Sequence, residues 1–143
     1  MSEQTVCTAR HINHICIAVR DIEDTLGFYR GLFGIGEVEV SEVEDQGVRA
    51  ALVPIGGSEL EFIEPMNLEG GVARFIESKG EGMHHICFEV ENLSSVLDRL
   101  ERAGVELIDR VPRRGLAGEI AFIHPRSTRG VLLELVDQDS ARR

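Results

Sequence analysis

Among the residues of this chain whose types hold a divalent cation, four come in two matched pairs. His14 lies in Asn13-His14-Ile15-Cys16-Ile17-Ala18-Val19, and His85 lies in His84-His85-Ile86-Cys87-Phe88-Glu89-Val90. At one constant offset His14 falls on His85, Ile15 on Ile86, Cys16 on Cys87 and Val19 on Val90. Each half also carries a glutamate inside an apolar run, Leu60-Glu61-Phe62-Ile63 and Leu133-Glu134-Leu135-Val136. An ionised carboxylate in such surroundings is costly unless it is paired or ligates a cation. Two imidazole nitrogens and two carboxylate oxygens leave positions open for water or substrate, as a Lewis-acid catalytic ion requires. This donor set suits Zn, Co, Mn, Ni or Fe, and composition does not choose among them. A lone strand histidine is more often a packing residue than a ligand. Recurrence of both residue types at equivalent places is what favours the ligand reading.

The elements that must position these groups repeat with them. Alternation makes residues 11–19 a strand with His14, Cys16 and Ala18 on one face and Ile15, Ile17 and Val19 on the other. Asp21 is placed to cap a helix whose apolar stripe is Ile22, Thr25, Leu26, Tyr29 and Phe33, ended by Gly34 and Gly36. In the second half Asn92 takes the capping place, Leu93, Val96, Leu97, Leu100 and Ala103 form the stripe, and Gly104 closes the helix. Three strand-like runs follow each helix, at 37–43, 47–53 and 58–63 and again at 105–111, 119–123 and 130–136. Each half therefore reads βαβββ. A connector with a short helix at 72–79 joins them, giving one domain over 1–143 built from modules of about 11–65 and 82–137.

A chain of 143 residues with 43% apolar content buries roughly two-thirds of its unfolded surface and needs no disulfide staple. Three cysteines, two of them inside apolar runs, fit buried thiols in a reducing compartment. The net charge of −10 excludes a general nucleic-acid binder. The N-terminal residues lack a basic segment followed by an apolar one, so no signal peptide is read there. No apolar run approaches the roughly 20 residues that span a bilayer, and the expected setting is soluble and cytoplasmic.

The chain resembles the vicinal oxygen chelate superfamily, and within it the methylmalonyl-CoA epimerases. The resemblance rests on His14-Ile15-Cys16-Ile17-Ala18-Val19, Leu60-Glu61-Phe62-Ile63-Glu64-Pro65, Gly80-Glu81-Gly82-Met83-His84-His85-Ile86, and Phe122-Ile123-His124-Pro125-Arg126-Ser127 with Gly130-Val131-Leu132-Leu133-Glu134-Leu135. It implies an α+β fold of two βαβββ modules forming a cupped, mostly antiparallel sheet around a metal site. It implies one divalent ion, Co, Mn, Zn or Ni, held by His14, Glu61, His85 and Glu134. The implied activity is interconversion of the 2R and 2S forms of methylmalonyl-CoA by 1,1-proton transfer through an enolate. Glu134 and Glu61 are the expected proton carriers, in a homodimer that takes an acyl-CoA substrate and binds neither nucleic acid nor membrane. The same architecture also serves lactoylglutathione lyases and metal-free drug-sequestering proteins. The chain departs from the epimerases at Ala50, where a second acidic residue is usual, at Glu61, where some members have glutamine, and in the loop 114–119, which is shorter by one residue.

His84 is expected on the face opposite His85, as a packing residue, and His124 as a structural residue of the turn before the last strand. Cys16 and Cys87 are read as small wall residues. Arg113, Arg114, Arg126, Arg129 and Lys79 are the basic groups available to coenzyme A phosphates.

Overall fold

The computed structural model describes residues 5–139 and divides into two compact units. One runs from His14 to His84, and the other joins the stretch ending at Asn13 to the chain from His85 onward. Both are mixed α+β, as the alternating and helical periodicities predict.

In the unit from His14, β1 (His11–Ala18) leads into α1 (Ile22–Phe33), β2 (Ser41–Val43), β3 (Val48–Ile55) and β4 (Ser58–Pro65). The strand order is β2-β3-β4-β1, with β1 parallel to β4 and the other pairs antiparallel. A further helix, α2 (Gly71–Lys79), follows. The unit from His85 has β5 (Gly82–Glu89), α3 (Leu93–Arg102), β6 (Arg113–Arg114), β7 (Glu119–Ile123) and β8 (Leu133–Asp137). Its order is β5-β8-β7-β6, again with the first and last strands parallel and the rest antiparallel. The two repeats thus share one connectivity.

Each helix covers one face of its own strands. Ile22 and Leu26 of α1 pack on Val19, Ala51, Val53 and Phe62, while α3 sets Leu93, Val96, Leu97 and Leu100 against Val90, Ala121, Ile123 and Leu135. Burying each such aliphatic or aromatic side chain contributes about 1.5–3 kcal/mol. The opposite faces carry the residues of the other alternation: Cys16, Ala18, Ala50 and Ile63 with Ile76 of α2, and Cys87 with Ile120 and Val136. The histidines and glutamates of interest lie on these faces.

The helix starts are tied to the last strand of each repeat. Asp21 caps α1 through Oδ1, which accepts the Asp24 N–H at 3.0 Å, and Gly34 ends the helix in the left-handed region. In addition, Glu64 of β4 accepts the Ile22 N–H at 2.7 Å and pairs with Arg49 at 3.2 Å, and Arg49 also binds Glu23. In the second repeat Asn92 has φ 54° and its side chain makes no capping bond; the Leu93 N–H goes to Oδ2 of buried Asp137 at 3.3 Å. The expected Asn92 cap is therefore replaced by a strand carboxylate, because a left-handed Asn92 turns its side chain away from the helix N–H groups.

Three expectations are corrected. The run 105–111 is not a strand: it makes one bridge, Leu107 to Ile123, and the short strand falls at Arg113–Arg114. The Phe122 N–H, which a ladder would give to a carbonyl, goes instead to Oδ2 of Asp109 at 2.8 Å, and Pro112 has no N–H to contribute. The run 37–43 narrows to β2, since its ladder extends only opposite Val48–Ala50. Phe33, expected in the α1 stripe, is 70% exposed, because α1 buries only Ile22 and Leu26 fully.

Replacing Glu64 with alanine strips the Ile22 N–H and Arg49 of this carboxylate. The expected loss is about 1–2 kcal/mol of unfolding free energy, read by urea titration with an unchanged slope. Arg49 also holds the Glu23 carboxyl below the usual carboxylate range, chiefly by hydrogen bonding. That contribution is present above the unfolded-state pKa and is lost as the pH falls through the lowered one. Glu23→Gln is expected to flatten the acid limb of a stability–pH profile relative to the parent.

Candidate functional site

The two histidine–glutamate pairs form by the same construction in each unit. Parallel pairing sets Cys16 opposite Glu61 and Cys87 opposite Glu134, so each glutamate lies one step diagonally from the histidine two residues before the cysteine. His14 Nε2 is then 3.5 Å from Glu61 Oε1, and His85 Nε2 is 3.6 Å from Glu134 Oε1. All four side chains are at least largely buried, the most open being Glu61 at 13%.

These separations fit donors to a common ion. Nitrogen and oxygen ligands at roughly 2.0–2.2 Å from a tetrahedral cation stand about 3.4 Å apart, whereas a direct charge-assisted hydrogen bond would draw them to about 2.7–2.9 Å. In each pair an imidazole nitrogen and a carboxylate oxygen are also the donor types that borderline divalent metals accept. Each pair thus offers an imidazole nitrogen and a carboxylate oxygen at a separation that a shared divalent ion would accept.

Their surroundings are small and apolar. Cys16 and Cys87, neither in a disulfide, are fully buried, each in a core cluster on its own unit's site-bearing face. Ala50, where the resemblance would place another acid, is 2% exposed and clustered with Cys16, Ala18, Val48, Ile63 and Ile76. No ionisable side chain replaces that acid at position 50 itself. His84 packs edge-to-face on Phe75 of α2 with centroids 4.8 Å apart, and Lys79 lies 5.7 Å from the same ring. His124 caps the short turn Pro125–Ser127 by accepting the Arg126 N–H on Nδ1 at 3.0 Å. Of the basic groups, Arg126 pairs with Glu106 and Arg113 with Asp109.

Sequence reasoning missed two sets of residues. Glu64 and Asp137, each three positions after its site glutamate, cap the helices; that i, i+3 acidic recurrence is visible in the sequence once the strands are aligned. Phe122 is the second set's centre. It stands opposite Glu134 in the β7–β8 register and its ring meets His85 at 5.2 Å, interplanar angle 88°. Its counterpart in the first repeat, opposite Glu61, is Leu52, so the repeat alone did not mark it. Among the described residues no helix is long and apolar enough to cross a membrane.

A family model described as the glyoxalase/bleomycin resistance protein/dioxygenase superfamily matches residues 13–123. The uncharacterized protein YqjC of Bacillus subtilis is 44% identical over 127 residues, covering 88% of this chain and 91% of that protein. The ethylmalonyl-CoA/methylmalonyl-CoA epimerase of Cereibacter sphaeroides is 32% identical over 127 residues, covering 87% and 95%. A solved structure of a Streptomyces coelicolor methylmalonyl-CoA epimerase variant in complex with 2-nitronate-propionyl-CoA aligns with a TM-score of 0.86 at 35% identity, covering 91% of this chain and 95% of that one.

The donor assignment predicts that His14→Ala and His85→Ala each weaken Co²⁺ binding at least about tenfold, measured by titration calorimetry on folded protein. Parental affinity in either variant would remove that histidine from the donor set.

Proposed function

The chain belongs to the glyoxalase/bleomycin resistance protein/dioxygenase superfamily, in the family of the methylmalonyl-CoA epimerases, and on that footing we propose that it is a metal-dependent isomerase that interconverts the 2R and 2S forms of methylmalonyl-CoA. The observation that carries the reading is the duplicated histidine–glutamate pair, with nitrogen–oxygen separations of 3.5 and 3.6 Å. One divalent ion (Co, Mn, Zn or Ni) takes His14, Glu61, His85 and Glu134 as ligands in this reading. The functional form is a homodimer working in the cytoplasm. The Cereibacter relative acts on ethylmalonyl-CoA as well by its name, and the 2-substituted malonyl-CoA class accommodates both chain lengths.

The reaction sets the requirements. The acidic hydrogen sits on the carbon between a thioester and a carboxylate; when it leaves, the C–H electrons delocalise onto the thioester oxygen as an enolate. A bound divalent cation supplies Lewis-acid stabilisation of that oxygen charge and offsets repulsion from the neighbouring carboxylate. The protein must then remove the proton on one face and return one on the other. Glu61 and Glu134 are the equivalent carboxylates of two repeats, so this reading gives each one face of the substrate. The glutamate that removes the proton becomes a carboxylic acid, and the other, already protonated, delivers its proton to the opposite face. Direction of turnover reverses the roles. Ala50 contributes no acid, and in this reading Glu61 is assigned the second proton transfer. Burial of two carboxylates on apolar strands also argues against a metal-free binding protein, which has no use for them.

Glu134→Gln keeps an oxygen donor and removes the proton acceptor. The variant is expected to retain measurable metal binding while losing exchange of the substrate's C2 proton with deuterated solvent, followed by NMR on methylmalonyl-CoA. Full exchange in Glu134→Gln, or undiminished exchange by the parent after exhaustive chelation, contradicts the proposal.

A further inference from the structure

The two histidine–glutamate pairs repeat in register and distance, and the residue opposite the glutamate differs between them. Opposite Glu61 on the adjacent strand stands Leu52, and opposite Glu134 stands Phe122. Phe122 is fixed from three directions. Its ring meets the His85 ring edge-to-face at 5.2 Å, the Arg113 guanidinium lies over it at 5.5 Å, and its N–H is accepted by Asp109 Oδ2 at 2.8 Å. Asp109 Oδ1 in turn holds Arg113 Nε at 3.1 Å. The carboxylate thus binds both the backbone of the aromatic residue and the cation stacked on its ring. Of this closed set of contacts, Asp109 belongs to the segment 105–111 expected to be a strand, and its carboxylate takes the Phe122 N–H that a ladder there would need.

We propose that Phe122, clamped by Arg113 and Asp109, is a positioning residue that fixes the ring plane of His85, so that its Nε2 stays aimed beside Glu134. The inference rests on the reading of His85 and Glu134 as metal donors. Ligand histidines are oriented by their neighbours, and loss of a hydrogen-bonding one typically weakens metal binding by about 10- to 100-fold; at His85 the orienting contact is an edge-to-face ring. A ring held edge-to-face resists rotation about the histidine side-chain torsions, and a cation over the partner ring stiffens the partner. At the register position that Phe122 takes opposite Glu134, the first repeat has Leu52 opposite Glu61.

The test uses Co²⁺ alone as probe, with affinity by calorimetry and coordination by the visible absorption of the bound ion. Phe122→Leu installs the residue that the other repeat has, and it is expected to bind Co²⁺ about tenfold more weakly with an altered visible spectrum. Phe122→Tyr keeps the ring and is expected to retain parental affinity and spectrum. Arg113→Met, at a half-exposed position, is expected to weaken binding by about two- to fivefold without changing the thermal unfolding of the metal-free protein. Parental affinity and spectrum in both Phe122→Leu and Arg113→Met overturn the inference. Should Phe122→Leu not fold, Arg113→Met decides alone: weaker binding with an altered spectrum supports the clamp, and parental binding overturns it. A parent chain that binds no Co²⁺ overturns the metal reading and this inference with it, whereas a binding parent with unaffected variants overturns this inference only.

Discussion

The parallel pairing of the first strand of each repeat with the last is the constraint on which the rest depends. It sets Cys16 across from Glu61 and Cys87 across from Glu134, and so brings a histidine nitrogen and a carboxylate oxygen to 3.5 and 3.6 Å. Because side chains alternate along a strand, a slip of one residue would turn either glutamate to the helix-covered face and exchange it for a leucine or phenylalanine. The apolar alternation guards against that slip. Phe62 and Leu135 must meet α1 and α3, and moving them outward would expose surface worth about 1.5–3 kcal/mol each. The core therefore selects the register, and the register selects the chemistry.

A second tie acts along the same strands. Glu64 and Asp137, three positions beyond the site glutamates, accept the first N–H groups of α1 and α3. The strand end is thereby anchored to the helix that follows the first strand of its repeat. Buried backbone N–H groups at a helix start need partners, and here the partner is supplied by the element that also carries the donor. In this way one strand meets a helix through its terminal carboxylate and a histidine through its central one. The fold and the half-site share a single scaffold.

Much of this was legible in the residues. The duplicated histidine strand, the glutamates in apolar runs, the Asp21 cap and the α3 stripe from Leu93 to Leu100 follow from local pattern and reappear in the structure, whereas Ala103, expected in that stripe, is exposed at the helix end. What escaped was non-local. Asn92 looks like a cap by residue type, but its left-handed backbone hands the task to Asp137, which lies far along the chain. The run 105–111 alternates well enough for a strand, yet Asp109 takes the hydrogen bond the ladder needs. Phe33 has the spacing of the α1 stripe but falls beyond the buried turns. Phe122 showed no signal because its significance comes from its neighbours and from the contrast with Leu52, which only the register reveals.

The pairing of first and last strands has a kinetic side. Each histidine–glutamate pair joins residues from opposite ends of its repeat, so neither can exist before the intervening helix and strands have closed the loop between them. Local helices and hairpins form early and carry no complete donor pair. A chain in which that loop is still open carries neither assembled pair. Under the proposed reading, ligation would favour the finished state over every intermediate on the way to it and slow its unfolding.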